Sequence, residues 1–456
     1  MAGYSYIALP PDSSGKKLFT HEHTVANTAV QIQGIHLADP NDPEHIQFVD
    51  ERGQAFTRFA EGSPTLDSTG NLRVAEEQVI GAYEYTNSDM ADLFTDYTAS
   101  GGNIVWDAVA SEVIMSTTSA NNSISTRTTN RFHYYLPGCG VFVPITLSHG
   151  DSGKANNIRR WGYFSETDGI FWELNGTTLN VVIRSDTTGT IEETRIPQSQ
   201  WNGDKFDGTG VTLETLDVTK HNYYWIDFVW QGVGSVRMGV KARDGSRIVC
   251  HTFYTPNSLI HAFMSKPAQP IRYENYNIAG TSGTSEMKTV CAAVYNSSIV
   301  GYTFWSYSDI EATNKTITTN TPILSMKPNT YIQGTSEYNR IGIYPESFGV
   351  YITGGPAKIS IVDDAILGNS TWAIQGMSTA LGDNTANTYT GGEVVKTFYL
   401  DAGCHVVHLE DLFETNDEGY HVLADGSDAY TFTLAGTRLT GNATTVSATL
   451  NYRELR

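Results

Sequence analysis

Charge is scarce in this sequence. Of its 456 residues only 17% are Asp, Glu, Lys or Arg, against roughly 25% in soluble domains. Basic residues are scarcer still: 29 Lys and Arg face 49 Asp and Glu, a formal net charge of −20. A chain that repels phosphates has no basis for a nucleic-acid interface, which needs a basic face. Cysteine is nearly absent too. Cys139, Cys250, Cys291 and Cys404 lie far apart and form no C-x-x-C pair. That spacing excludes a zinc ribbon or thioredoxin-type site and supplies no disulfide framework, so the four are expected as small buried hydrophobes. No run reaches the ~20 apolar residues of a membrane helix. The N-terminal MAGYSYIALPPDSSGKK has no basic start followed by an apolar stretch, so no secretory leader is expected. Without a leader, Asn175-Gly176-Thr177 is not read as a glycosylation site.

What is present favours strands. Aromatics make up 11%, 25 of them Tyr, and Thr, Ser and Asn stand where Lys and Glu are usual. Lys and Glu suit helices, whereas Thr and Tyr suit pleated, half-buried surfaces. The length suggests two or three domains. Residues 1 to about 60, broken by Pro10, Pro11, Pro40 and Pro43, show no sustained apolar period. They read as an arm that orders on a neighbour. A turn at 67–74 follows, and Ser88 to Tyr97 is a short helix candidate through Met90, Leu93 and Phe94.

From about residue 100 the pattern is β. Val113–Thr117, Arg131–Tyr135 and Val141–Leu147 read as strands. The strongest hairpin runs from Gly169–Leu174 through Asn175-Gly176 to Thr178–Arg184, because Asn-Gly accepts the positive φ of a tight turn. Thr187-Thr188-Gly189 turns the chain into Thr190–Ile196. Tyr223–Trp230, Val236–Ala242, Arg247–Tyr254 and Glu286–Val294 continue the series. In the last third, Ile341–Tyr344, Gly349–Ile352, Lys358–Val362, Thr397–Leu400, His405–Leu409, Tyr430–Leu434 and Val446–Tyr452 are expected strands. The stretch Leu381–Gly392 is expected as a long loop. The fold class expected is all-β: two antiparallel β-sandwich or jelly-roll-like domains with an extended N-terminal arm. The boundaries are 1–92 for the arm, 93–298 for the central sandwich and 299–456 for the C-terminal one.

Chemistry is harder to find. Gly150-Asp151-Ser152-Gly153-Lys154-Ala155 lacks the Walker spacing and puts Ala155 where Ser or Thr belongs. Nucleophile-elbow and zinc-protease motifs are missing. His21-Glu22-His23 and the set His405, His408, Glu410 and Asp411 hold ligand-type side chains, but surface or hydrogen-bonded histidine explains them as well. The loops Asp204–Gly210 and Asp425–Asp428 could offer oxygens to calcium, although Asp-Gly is first a turn signal. A glycosidase would need two carboxylates facing across a cleft, and the sequence does not say which of its acidic residues face each other. Trp161, Trp172 and Trp201, in or beside expected turns, are the candidate glycan or partner contacts, with a core position the plainer alternative. No catalytic, cofactor-binding or metal residue is assigned. Calcium is the only cofactor left open.

An ordered series carries a family resemblance. It comprises Arg160-Trp161-Gly162-Tyr163-Phe164, Gly169-Ile170-Phe171-Trp172-Glu173, the run Trp201 to Gly210, the run Trp225 to Gly234, and Val236-Arg237-Met238-Gly239-Val240. With Leu324-Ser325-Met326-Lys327-Pro328 and the terminal Thr449 to Glu454, it is similar to a family of tailed-bacteriophage virion structural proteins over residues 65–456. Gln231 departs from the aliphatic residue expected there. The resemblance implies a non-enzymatic virion component: a tail appendage, fibre or baseplate-peripheral protein docked through its N-terminal arm. Its expected partners are copies of itself, other virion proteins and a host-surface glycan, with neither nucleic acid nor membrane. Assembly is expected in the host bacterial cytoplasm. The alternatives are a capsid decoration protein and a tail-borne polysaccharide depolymerase or glycan-binding module.

Overall fold

The computed structural model describes residues 77–279, 283–297, 304–376, 378–409, 419–423 and 430–455, with three further strands nearer the N-terminus. The chain divides into two compact units, Met1–Ser63 and Pro64–Arg456. In the first, Ser5–Ala8, Lys17–Val25 and Thr28–Gln33 form an antiparallel sheet in that order. His21 and His23 lie on its middle strand. Of the expected arm 1–92, the stretches flanking these strands and on to residue 76, with the 67–74 turn, lie outside the described residues, whereas 77–92 are described.

The second unit begins with a large sandwich, as the alternation of apolar and polar residues requires. Its seven-stranded sheet runs Glu192–Pro197, Thr178–Ser185, Gly169–Asn175, Asn157–Phe164, Ile271–Asn277, Ile124–Thr129, Phe94–Ala99. The facing sheet runs Arg247–Phe253, Val236–Lys241, Asn222–Phe228, Val141–His149, Ser285–Asn296, Glu112–Thr117, Asn103–Asp107. Gln78–Glu84, from within the span expected as an arm, also pairs with Ser285–Asn296. The Asn175-Gly176 hairpin closes as expected: Asn175 faces Thr178, and Gly176 takes φ 59°.

Two local expectations fail. Ser88–Tyr97 is no helix: the Ser88 and Asp89 side chains accept from the Met90 and Ala91 backbone N–H groups. That local bonding favours a turn. Phe94 then opens a strand and enters the core. Arg131–Tyr135 makes only a single bridge, His133 to Gln269.

A smaller sandwich follows. One sheet holds Phe304–Ile317, Thr444–Leu455, Gly342–Thr353 and Gly403–His408; the other runs Ala373–Ile374, Ala380–Asp383, Thr321–Pro328, Phe432–Arg438, Ala357–Asp363, Glu393–Leu400. The two strands expected at 341–352 are one, with a register shift between Pro345 and Ser347. The 381–392 loop contains the short strand Thr388–Thr390 and most of Ala380–Asp383. Each sandwich has its own apolar core. Tyr134, Tyr344 and Leu455 join them in a small third cluster, and Arg340 stacks on Phe132 at 4.1 Å while donating to the Ala268 carbonyl. The chain is all-β, built of antiparallel sandwiches, as its composition anticipated.

Candidate functional site

The three tryptophans singled out by sequence are not a surface platform. Trp161, Trp172 and Trp201 are 0, 0 and 2% exposed. Trp161 and Trp172 point inward from adjacent strands, each against the Tyr224 ring at 5.0 and 5.2 Å, and Trp201 meets Trp172 edge-on at 5.5 Å. Trp161 was placed beside a turn because its strand, Asn157–Phe164, opens polar and carries two arginines.

His133 and His149 are fully buried in the same sandwich. His133 donates from Nδ1 to the Gln269 carbonyl at 3.0 Å and accepts from the Tyr83 hydroxyl at 2.8 Å, which fixes a neutral ring. His149 packs on Trp161 at 4.9 Å, and neither ring nitrogen has a hydrogen-bond partner among the described residues. Burial pushes His133 down to about 3 and holds His149 well below its ordinary 6.5. In the unfolded chain both titrate near 6.5. Below that value the unfolded state therefore binds protons that the folded state refuses, so this stability is full above about pH 6.5 and falls with acid. Each group contributes at most ~1.4 kcal/mol per pH unit. The thermal midpoint is expected to fall steadily from pH 7 to pH 4.5, and a flat profile by scanning calorimetry would contradict this.

The outer face of the seven-stranded sheet is a lattice of charge. Cross-strand register sets Arg160 directly opposite Glu173 on one side and Glu274 on the other. Arg160 donates to Glu173 at 2.8 Å and to Glu274 at 3.4 Å. Arg195 donates to the other Glu173 oxygen at 2.9 Å, Arg184 to Glu193 at 2.8 Å, and Arg272 to Glu274 at 2.7 Å. Beneath the charges lie Phe164, Phe171 and Val182, with the Arg184 guanidinium 5.0 Å from the Phe171 centroid. Burial raises the Glu274 carboxyl, but Arg272, Arg160 and Arg184 outweigh it and hold the group below its ordinary value. A carboxyl kept ionised in this way is poorly suited to be the general acid of a hydrolase. Sequence reasoning missed this lattice, because Asn157–Phe164 and Ile271–Asn277 were not expected as strands and the Arg160–Glu274 contact between them spans 114 residues.

The remaining candidates resolve more simply. Asp204 spends its carboxylate on the backbone N–H groups of Phe206 and Thr212, both at 2.8 Å, and Asp207 accepts from the Thr209 N–H at 3.0 Å. These carboxylates organise their own loop. His405 donates to the Asp401 carbonyl at 2.8 Å, while Glu410, Asp411 and Asp425–Asp428 lie outside the described residues. Among the described residues no group of three or more His, Cys, Asp or Glu is placed to hold a metal. Cys250 is buried, as expected of a small hydrophobe, but Cys404 is exposed.

The central sandwich carries several concavities. A cleft of about 610 Å³ opens where the strands Glu192–Pro197 and Arg247–Phe253 form the free edges of the two sheets, beside the loop 255–263.

No protein-family model matches the chain, and no curated protein matches it in sequence. Solved structures resemble it in part. A legume lectin-like domain from Entamoeba histolytica is 10% identical and covers 50% of this chain and 100% of its own, with a TM-score of 0.31. An endo-β-1,4-glucuronan lyase from Trichoderma reesei is 13% identical over 46% of this chain and 89% of its own, with a TM-score of 0.28. A glycoside hydrolase family protein from Mycobacterium thermorestibile is 10% identical over 47% and 100%, with a TM-score of 0.32.

Proposed function

We propose that the chain is a non-enzymatic structural component of a tailed-bacteriophage virion: a tail appendage, fibre or baseplate-peripheral subunit that meets a host-surface glycan. The observation that carries this reading is what the family-like series does in the fold. Trp161, Gly162, Trp172, Trp225 and Gly239 are all sandwich-building residues. A Cβ on Gly162 would lie 2.5 Å from the Ile170 carbonyl oxygen and 2.6 Å from the Phe171 Cα, and one on Gly239 would collide with the Trp225 ring. These five residues of the series therefore specify a scaffold, and none of them bears a reactive group.

The edges of the smaller sandwich support assembly. Glu393–Leu400 and Gly403–His408 are consecutive strands that end different sheets, and neither has a further strand partner among the described residues. Val394, Tyr399 and Val406 are 54, 72 and 63% exposed there. Open edges bearing apolar side chains are a liability unless a neighbour covers them. The separate Met1–Ser63 unit is consistent with docking through that end. A reconstruction of the intact virion is expected to place this chain on the tail. Density on the head shell would instead favour the capsid decoration reading, and absence from the particle would remove both.

A further inference from the structure

The cleft at the open side of the central sandwich sets buried apolar residues beside polar side chains, of which Glu192 and Thr194 are exposed. Ile183, Phe253 and Phe263 line it and are buried. Tyr254 lines it too and is 62% exposed. Polar residues share the lining, among them His251, Thr194 and Glu192, with Thr and Ser hydroxyls and His261 beside them. His251 accepts the Asn202 backbone N–H through Nδ1 at 3.3 Å, so the ring carries its proton on Nε2. Burial pushes the group down to about 4, leaving it neutral at pH 7. Neither the His251 Nε2–H, nor the Thr194 hydroxyl, nor the Glu192 carboxylate has a partner within the chain among the described residues. No lysine or arginine is among the residues that line the cleft.

We propose that this cleft binds a short segment of neutral glycan, one sugar face laid against Tyr254 and its hydroxyls met by His251, Thr194 and Glu192. The volume falls within the ~300–1,000 Å³ usual for small-molecule sites. A sugar ring combines an apolar C–H face with hydroxyls that both donate and accept. The cleft supplies an aromatic ring, an N–H donor, a hydroxyl and a carboxylate acceptor in one place. A wholly apolar ligand would leave those three polar groups desolvated and unpaired. An anionic glycan would meet Glu192 with no cation to offset it. The inference deepens the host-surface reading above, and rests on it only for the source of the glycan.

Calorimetric titration of the full chain tests it, using hexasaccharides of glucose, mannose and N-acetylglucosamine beside an oligogalacturonate. At least one neutral hexasaccharide is expected to bind and the oligogalacturonate is not. Thr194→Val and Glu192→Gln, both at accessible positions and with unchanged melting midpoints, should weaken that binding at least tenfold. Arg195→Ala, on the outer sheet face, should leave it unaltered. Failure of every neutral hexasaccharide, a preference for the acidic one, or binding lost through Arg195→Ala but not through the cleft variants would each overturn the proposal. Placement in the virion is read by reconstruction alone, so the two readings fail separately.

Discussion

Replacing Trp172 by alanine is expected to cost about 3–5 kcal/mol, the range for removing a large buried aromatic. Trp172 is fully buried between Trp201 and Tyr224, so its loss opens a cavity that two further rings must collapse to fill. A domain has only about 5–15 kcal/mol of stability in total, so the variant should sit near the edge of folding. At roughly 2–4 °C per kcal/mol for a unit of this size, the central sandwich should melt about 10 °C lower. Trp172→Phe should cost much less, since it keeps an aromatic ring. It also removes an indole N–H that has no hydrogen-bond partner among the described residues. Thermal melts of the two variants beside the parent chain decide the matter. If Trp172→Ala melted with the parent and lost only ligand binding, the ring would be a surface contact and its core placement would be wrong.

That contrast shows what local pattern could and could not carry. The Asn175-Gly176 hairpin was legible because its turn chemistry and both strands lie within sixteen residues, Gly169 to Arg184. Tyr223–Trp230 was legible through alternation, and Tyr224, Ile226 and Phe228 do face the core. Asn157–Phe164 and Ile271–Asn277 were not recognised. They occupy the middle of their sheet, yet read as NIRRWGYF and IRYENYN, with charge on the face that an isolated strand would show to water. Only pairing across more than a hundred residues reveals that the charges on one strand answer those on the next. The same applies to the cleft, whose walls come from edge strands of different sheets. Trp161 reads as in or beside a turn for this reason: the strand that buries it is legible only through that pairing.

The charge lattice supplies the second large effect. Glu173 is fully buried and accepts from Arg160 at 2.8 Å and from Arg195 at 2.9 Å. Glu173→Ala is expected to destabilise the chain by about 3 kcal/mol, at the lower end of the range for breaking a buried pair. Arg195 is partly exposed and can turn to water. Arg160 cannot, and would retain Glu274 at 3.4 Å as its nearest carboxylate. The cost therefore sits on Arg160, a guanidinium held against Phe171 and Tyr276 with its best acceptor gone. Replacing both partners at once, as Glu173→Leu with Arg160→Met, should recover part of the loss, because the pair's own charges are gone and Glu274 keeps Arg272 at 2.7 Å. A double-mutant cycle in urea should return a coupling energy of at least about 1.5 kcal/mol. Acid should act on the same lattice through Glu274. Its folded value is depressed, so the stability it lends is present above the ordinary carboxylate value near 4.5 and is lost as pH falls below it. A coupling energy below about 0.5 kcal/mol would put these ion pairs in the class of surface contacts, and the lattice would then be an ornament of the sheet and not part of what holds it.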